Sequence, residues 1–534
     1  MTLDGFITFL GLIVAAVAIM SPVAKLQMSL SIRMLTVWST LLTLAVLYFE
    51  FFDFFGLRCP NVMGEICPTI SRDGTFTPTQ AAFLVTFIWI GVLAYAWQRR
   101  PTIKALPTLD SMARMLVEAK RYSDFIELVE PVLTDIDACA TGTLPFQIRR
   151  SALVGLDEKG GMPLPTTACR RAPVIIAQLW TALKRDYVAL LPSDALMRSS
   201  ADNILQTLMR SRPVVDWIAE HRPRFGSRMF SFQSRKSLDF SERFLHWQIS
   251  RPGSRLYDEI EGNQNLGSCG YALESHNFLL CALLSNAKIA ERHEAYRPIG
   301  EHMLAMLDPA NAADYIATLN MRHDVHWEDR GRWRDQTFVA IRFFDIMVSA
   351  AACQNVRWHM WLFYFSQLIE RLEELYVPQE REEELGEFPT RAARLLYDAV
   401  HALADWVRLA TRVDENSNHR EPDNDLVDHE NDNIPKSAAI VLGIAMRTVI
   451  LSSRIGVSLK QTLLTTALQP LTDGHMRLGH DKLRRALINS IVKGGPFGGG
   501  PGYLQHVQAI YAPIHKPWHN HLDDFRAALS NESA

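Results

Sequence analysis

The densest histidine group of this 534-residue chain lies near its end and could bind a transition metal. It consists of His515, His519, His521 and the carboxylate of Asp523. Imidazoles and carboxylates are common metal ligands, and His519 and Asp523 would share one face of a helix. Pro517 separates the first two histidines, however, and His521 would point away from His519 on a helix. The spacing does not assemble a full ligand set, so the sequence predicts neither a metal nor a cofactor.

An arginine followed at helical spacing by a histidine could cleave a phosphodiester, since the cation stabilises developing charge while the imidazole transfers a proton. Arg394 and His401 form the one such pair that lies on a segment with a clear helical pattern, residues 391–411. The pair resembles the Arg–His motif of helical ribonucleases of the HEPN type. Pairs at this spacing also arise by chance, so the motif has low specificity. A membrane-bound ribonuclease or metal-dependent hydrolase is therefore an alternative function.

A basic segment could bind phosphate groups. It carries seven cations against Asp216 and Glu220 in a chain whose net charge is −3. The cations are Arg210, Arg212, Arg222, Arg224, Arg228, Arg235 and Lys236. Arginine forks bind phosphate well, and the aromatic residues among them could stack on bases or enter a membrane interface. The other interpretation is an ordinary surface segment whose aromatic side chains pack inward.

Three apolar runs in the first hundred residues predict membrane-spanning helices. They cover about residues 6–24, 34–55 and 81–97. Each is close to the roughly 20 residues that cross about 30 Å of hydrocarbon. Residues 1–100 would then form a membrane domain, with residues 56–80 as the loop between the last two spans.

The positions of the cations predict the orientation of these spans. Lys25 and Arg33 lie between the first two spans, and Arg99 and Arg100 follow the third. Cations near span ends prefer the cytoplasmic side. We therefore predict a protein of the bacterial inner (plasma) membrane, with its N-terminus outside and its large C-terminal region in the cytoplasm.

Two acids lie at the outer end of the second predicted span. Glu50 and Asp53 would share one helix face. Ionisable residues within a membrane often mark ion pathways, although headgroups could hydrate both of these. An oligomeric pore-forming effector is therefore a second alternative.

The seven cysteines divide by predicted compartment. Cys59 and Cys67 lie in the predicted outer loop, where oxidising conditions favour a disulfide. The others are scattered, lack metal-ligand spacing and are predicted to be buried thiols. They are Cys139, Cys169, Cys269, Cys281 and Cys353.

The remaining chain has helical periodicity almost throughout, which predicts an all-α protein. Its predicted parts are a linker and helical hairpin, a helical core, an acidic loop and a C-terminal helical region with a Gly-rich hinge. They cover residues 101–140, 141–412, 413–435, 436–534 and, for the hinge, 494–502. The turn at residues 119–125 resembles that of a tetratricopeptide hairpin, without a second copy.

A large helical region on a membrane anchor is typical of proteins that act by interaction. We expect a cytoplasmic scaffold or sensor-effector, for example in a bacterial stress or phage-defence system, rather than an enzyme. Its partners would be the lipid bilayer and another protein or a second copy of the chain. Because the cations of the basic segment would lie near an anionic leaflet, lipid phosphate is favoured over nucleic acid.

Reporter fusions test the predicted topology. A reporter fused after Trp97 should be active on the cytoplasmic side, and one fused at Gly64 should be active outside. The expected asymmetry follows from the cations that flank the spans. The reverse pattern would contradict the orientation.

Overall fold

In a computed structural model, the described residues form helices joined by short turns. They are residues 18–19, 40–45, 47, 80, 83–91, 105–142, 193–232, 236–322, 330–357, 362–378, 388–422, 433–514 and 522–531. Their only β feature is an isolated antiparallel bridge between Leu266 and Tyr271. The predicted all-α class is confirmed.

The described chain divides into a first unit, Met1–Val214, and a second unit, Val215–Ala534. The helices of the first unit are α1 (Leu106–Glu118), α2 (Tyr122–Val129), α3 (Leu133–Thr141) and α4 (Asp194–Arg210). The boundary between the units falls within α5 (Arg212–His221).

The second unit continues from that helix with two groups of elements. The first group is α6 (Pro223–Arg228), α7 (Lys236–Ser250), α8 (Arg255–Gly262), α9 (Phe278–Leu284), α10 (Ala287–Arg292), α11 (Tyr296–Ala305), α12 (Ala313–Leu319) and α13 (Gln336–Cys353). The second group is α14 (Phe363–Leu375), α15 (Arg391–Arg408), α16 (Ile434–Leu451), α17 (Val457–Thr472), α18 (Gly474–Arg477), α19 (Asp481–Lys493), α20 (Tyr503–Tyr511) and α21 (Asp523–Asn531).

In the first unit, α4 packs against α1 and α3. The Ser193 side chain accepts a hydrogen bond from the Leu196 amide and so caps the start of α4. Its apolar positions, which include Ile204 and Leu208, are fully buried. The Asn203 amide donates to the Asp110 carboxylate of α1 at 3.1 Å, which adds a polar contact beside the apolar face.

The core of the second unit is organised around α15 and α16. Helix α15 packs against α13, α14, α16 and α17, and α16 packs against α14, α19 and α20. Trp406 of α15 is fully buried, and its ring lies 4.6 Å from that of Phe365, centroid to centroid. Such large buried rings contribute much of the apolar area that stabilises a core.

By length and composition, α13 and α16 are also the helices of the described chain that could cross a membrane. In α13, 78% of the apolar window is buried inside the protein, and in α16 the figure is 72%. A helix that is apolar on most of its faces is also typical of a protein core. These two helices are therefore weak evidence for membrane insertion.

The spans predicted from the sequence fall largely outside the described residues. The described pieces within them, residues 18–19, 40–45, 47 and 83–91, are helical. Glu50, Asp53, Cys59 and Cys67 also lie outside the described residues, as do residues 423–432 of the predicted acidic loop.

The Gly-rich segment after α19 forms a turn with close backbone packing. Gly494 ends α19 at φ +74°, a conformation that glycine adopts readily. A Cβ at Gly499 would lie 2.6 Å from the Cβ of Tyr503. The turn leaves Phe497 82% exposed.

Helices α16 and α19 touch through their backbones at Gly443. A Cβ at this position would come within 2.6 Å of the backbone carbonyl carbon of Ser490. Backbone atoms of a packed helix cannot move independently of it. Any side chain at Gly443 would therefore push the two helices apart.

Gly443→Ala should destabilise the protein by about 1–3 kcal/mol, the usual cost of inserting atoms into a packed core. The measurement is the thermal unfolding midpoint of the full chain. Gly474→Ala is the matched control, because a Cβ there meets no atom within 4 Å. Equal midpoints for the two variants would contradict the proposed contact.

Candidate functional site

A groove of about 600 Å³ between α11 and α14 is the candidate functional site of the second unit. Grooves of this size are typical of ligand and peptide sites. It is lined by Glu301, Leu304, Ala305, Asp308, Asn311, Gln367, Glu370, Arg371 and Glu374. Four of these side chains are carboxylates and one is a guanidinium, so the groove has an acidic lining with an apolar patch at Leu304 and Ala305.

The two helices that line the groove are in close contact next to Glu301. A Cβ at Gly300 of α11 would lie 2.6 Å from the ring of Tyr364 in α14. Burial, and then the nearby Glu301 carboxylate, raise the pKa of the Tyr364 hydroxyl. The ring therefore packs against α11 as a neutral group.

Several of the lining charges already have partners. The Arg371 guanidinium donates to Glu374 at 3.0 Å, and Arg297 donates to Glu301 at 2.9 Å. All four side chains are about half exposed. Ion pairs at this exposure contribute little to stability, so a cationic partner could compete for both carboxylates.

The sequence analysis did not find this groove. Its two walls are about sixty residues apart in the chain, and neither wall has a catalytic or ligand motif. One local signal is present, because Glu370, Arg371 and Glu374 form a polar stripe on a helix whose opposite face includes the buried Leu368 and Leu372. That pattern predicts an exposed helix face and does not identify its partner.

The two candidate catalytic residues lie on one face of α15. Arg394 contacts the Asp398 carboxylate at 3.3 Å, and its guanidinium carbon lies 4.9 Å and 5.3 Å from the ring centroids of Phe388 and Tyr397. The Arg394 side chain is 18% exposed. A substrate would have to compete with these contacts, so the geometry favours a structural role for Arg394.

His401 has a separate carboxylate partner. Its Nδ1 lies 3.2 Å from Asp405, which also pairs with Arg408. Two helical turns, roughly 10 Å along the axis, separate His401 from Arg394. The fold therefore places the two residues on one face but gives each its own ion pair.

A buried polar cluster lies on α13, the helix that packs against α15. The Asp345 carboxylate, 5% exposed, accepts hydrogen bonds from the Tyr271 hydroxyl at 2.6 Å, Arg342 at 2.8 Å and the Trp406 indole at 3.0 Å. Arg342 also donates to the Gln264 side chain at 2.7 Å and to the Tyr271 hydroxyl at 2.8 Å. Burial, and then the Asp345 charge, raise the pKa of the Tyr271 hydroxyl.

The basic segment is divided by the unit boundary. Arg210 and Arg212 belong to the first unit, and Arg222, Arg224, Arg228 and Lys236 belong to the second. Arg235 lies outside the described residues. All of the described arginines of the segment are exposed, and Lys236 is half-buried.

The aromatic side chains of the basic segment mostly pack inward. Phe225, Phe230 and Phe232 are at most 5% exposed. The ring of Trp217 stacks on His221 at 4.9 Å. The exposed arginines are therefore the part of the segment that can meet an anionic partner.

Within the described residues, no group of three or more His, Cys, Asp or Glu side chains could hold a metal ion. Asp523, the described member of the histidine group, pairs with Arg526 at 3.1 Å and is 75% exposed. His515, His519 and His521 lie outside the described residues.

The cysteine prediction needs a correction. Cys269 and Cys353, expected to be buried thiols, form a disulfide with a Cα–Cα distance of 5.9 Å. The turn at Gly270 brings Cys269 against the end of α13, a contact between residues 84 positions apart that spacing cannot reveal. Cys139 and Cys281 are free thiols, and Cys169 lies outside the described residues.

Two buried histidines have lowered pKa values. Burial is the main cause for both His293 and His302. The Phe230 carbonyl can only accept, so His293 donates to it through Nε2 at 2.9 Å and is neutral. His302 hydrogen-bonds the Gln336 side chain through Nε2 at 2.6 Å.

These histidines predict that stability falls on acidification. The unfolded imidazoles bind protons with a pKa of about 6.5, and the folded ones bind protons only at lower pH. Unfolding therefore takes up protons in the pH range between the folded and the unfolded pKa values. Stability from this source is therefore fully present above pH 6.5 and decreases as the pH falls toward the folded values.

Unfolding midpoints of the full chain, measured from pH 8 to pH 5.5, test this expectation. His293→Gln should reduce the pH slope. His276→Gln makes the same substitution at a histidine that is 63% exposed and serves as the control for the substitution itself. An unchanged slope in His293→Gln would count against the proposed linkage.

Comparison with protein-family models, with curated proteins and with solved structures finds no match for this chain. A functional conclusion therefore depends on the groove, the exposed arginines and the helical pieces near the N-terminus.

Proposed function

We propose that this protein is a membrane-anchored scaffold or sensor-effector that binds a basic segment of a partner protein in the groove between α11 and α14. The observation that carries the proposal is the concave, acidic lining of this groove. Its carboxylates are half exposed and weakly paired, and its apolar patch gives a partner side chain surface to bury. A bacterial stress or phage-defence system is a setting for such a protein.

Exposed apolar helix near the N-terminus supports the membrane anchor. Phe83, Phe87 and Ile88 on residues 83–91 are between 49% and 63% exposed. A helix surface with large exposed apolar side chains marks a membrane or protein interface. Together with the three apolar runs, this favours multi-pass anchoring with the second unit in the cytoplasm.

Charge complementarity favours a basic partner. Opposite charges across an interface raise the association rate and suppress wrong partners. A lysine or arginine that enters the groove would meet the carboxylates of Glu301, Asp308 and Glu370. A second copy of the chain is the other protein partner consistent with this surface.

Photo-crosslinking in cells tests the groove as a binding surface. With a photoreactive residue at Gln367 of the full chain, we expect a defined crosslinked adduct. Glu301→Lys with Glu370→Lys should remove at least nine-tenths of it, because the substituted lysines repel a basic partner. The adduct is measured by electrophoresis and identified by mass spectrometry.

The control distinguishes the effect of charges within the groove from the effect of the protein's total charge. Glu220→Lys with Asp314→Lys changes the total charge equally at exposed positions that do not line the groove. This variant should keep the adduct. Equal adduct in both double variants would contradict the groove as the binding surface.

The proposal also includes contact with anionic lipid through Arg222, Arg224 and Arg228. All three are exposed and belong to the second unit. Each cation at an anionic leaflet contributes about 1 kcal/mol. The attraction is short-ranged, since the Debye length is about 8 Å at physiological salt.

Nanodiscs of neutral or anionic lipid test this contact with the full chain. A fluorophore at Ser231 should be quenched by headgroup-attached quencher in anionic discs at low salt, and released at high salt. Changing the three arginines to glutamate should abolish the quenching. The same change at Lys288, Arg322 and Arg454, which are also exposed, should preserve it. Equal quenching in neutral discs would contradict lipid charge as the cause.

The ribonuclease alternative is less favoured by the geometry, because Arg394 is held by Asp398 and two rings. RNA cleavage by the purified chain that disappears in His401→Ala would instead support it.

A further inference from the structure

A short hairpin at residues 264–272 lies against the end of α13. The backbone bridge between Leu266 and Tyr271 forms it, with the Gly267 amide donating to the Gly270 carbonyl at 2.6 Å. A Cβ at Gly270 would lie 3.0 Å from the Cβ of Ser349, so the tip packs closely on α13. This segment is named the 264–272 hairpin below.

One disulfide and three hydrogen bonds hold the 264–272 hairpin on α13. The disulfide joins Cys269 and Cys353. The Tyr271 hydroxyl donates to Asp345, and Arg342 donates to the Tyr271 hydroxyl and to Gln264. Both cysteines are half-buried, so solvent reaches the region of the bond. The disulfide is therefore the covalent part of an attachment whose other parts are reversible hydrogen bonds.

The base of the hairpin is fixed independently of the disulfide. The Asn277 side chain donates to that of Asn263 at 3.1 Å, and both residues are fully or almost fully buried. The buried Glu259 carboxylate accepts the Leu279 and Leu280 amides at the start of α9. The tip can therefore leave α13 while the flanking helices keep their packing.

Release of the hairpin would expose part of the Arg342 guanidinium. In the closed state Arg342 donates to Gln264, Tyr271 and Asp345 and is 22% exposed. Without the hairpin, the Asp345 hydrogen bond remains and the two hydrogen bonds to Gln264 and Tyr271 are lost. An arginine whose N–H donors have lost hydrogen-bond partners readily binds a carboxylate or a phosphate.

We propose that Cys269 and Cys353 are a site of reversible thiol–disulfide exchange whose reactant is a dithiol, and that the bond locks the 264–272 hairpin on α13. Cytosolic disulfides in most organisms are redox-sensing or catalytic. The assignment to the cytoplasm rests on the proposed function. On that side, the pair is reduced at rest and forms the bond when the exchange runs in reverse, with the disulfide form of the dithiol accepting the two electrons and two protons.

The electrons and protons of this exchange balance with the dithiol and the cysteine pair alone. A thiolate of the dithiol attacks one sulfur of the pair, a mixed disulfide forms, and the other sulfur leaves as a thiolate that takes a proton. The second thiol of the dithiol then attacks the mixed disulfide. Two electrons and two protons pass from the dithiol to the cysteine pair, and the reactant ends as its own disulfide.

Hydrogen exchange of the purified full chain tests whether the disulfide keeps the 264–272 hairpin on α13. The five other cysteines are changed to serine for this experiment. Dithiothreitol is the dithiol used. We expect reduction to accelerate exchange of a peptide covering residues 264–272 at least tenfold, while a peptide from α16 stays unchanged. Cys353→Ser should exchange at the fast rate without any reductant.

Two controls distinguish the disulfide from its surroundings. In the wild-type background, Cys281→Ser removes a half-buried free thiol and should leave the response to reductant intact. Tyr271→Phe removes two hydrogen bonds of the hairpin and should leave the oxidised hairpin closed. Equal exchange before and after reduction would overturn the lock, as would alkylation of both Cys269 and Cys353 in protein that was never reduced.

Acid trapping and alkylation in cells test reversibility. The pair should be reduced at rest and oxidised within minutes of adding diamide. A pair that is oxidised throughout would overturn the switch and would indicate an oxidising compartment. The crosslinked adduct of the groove is measured in a separate experiment. If the adduct is absent while the redox response is intact, the proposed partner of the groove is contradicted and the disulfide lock is not.

Discussion

The buried carboxylate of Asp345 joins three parts of the second unit that are distant in sequence. It accepts hydrogen bonds from the indole of α15, the hydroxyl of the 264–272 hairpin and the guanidinium of its own helix. A buried charge without such partners costs several kcal/mol. The packing of α13 on α15 and the position of the hairpin therefore depend on the same few atoms.

Much of the local structure could be predicted from the sequence, because helix periodicity and caps are local signals. Helix α4, for example, begins directly after Ser193, a residue type that caps helices, and continues to Arg210. Helix α9, in contrast, begins at Phe278, where no local side chain makes a capping hydrogen bond. Its start depends on Glu259, a carboxylate from a neighbouring helix that no local pattern includes.

The candidate sites were less predictable for the same reason. Arg394 and His401 were found from their types and spacing, and their carboxylate partners Asp398 and Asp405 also lie at i, i+4 on the same helix. The low exposure of Arg394, in contrast, depends on how α15 packs. The groove joins walls from two helices, and the disulfide joins residues from a hairpin and a helix end. Both arise from contacts between distant segments, which a single sequence does not encode as a motif.

The distance along the chain between Cys269 and Cys353 also matters during synthesis. At about 5–20 residues per second, the 84 intervening positions delay the second cysteine by roughly 4–17 s. Cys281 is made long before that and lies only twelve positions after Cys269. The thiol of Cys281 donates to the Glu274 carbonyl at 3.3 Å once α9 has formed. Because the pair is reduced at rest, both thiols stay unbonded while the chain is made. The folded α9 then holds the nearer thiol on the Glu274 carbonyl, so that later oxidation joins Cys269 to Cys353.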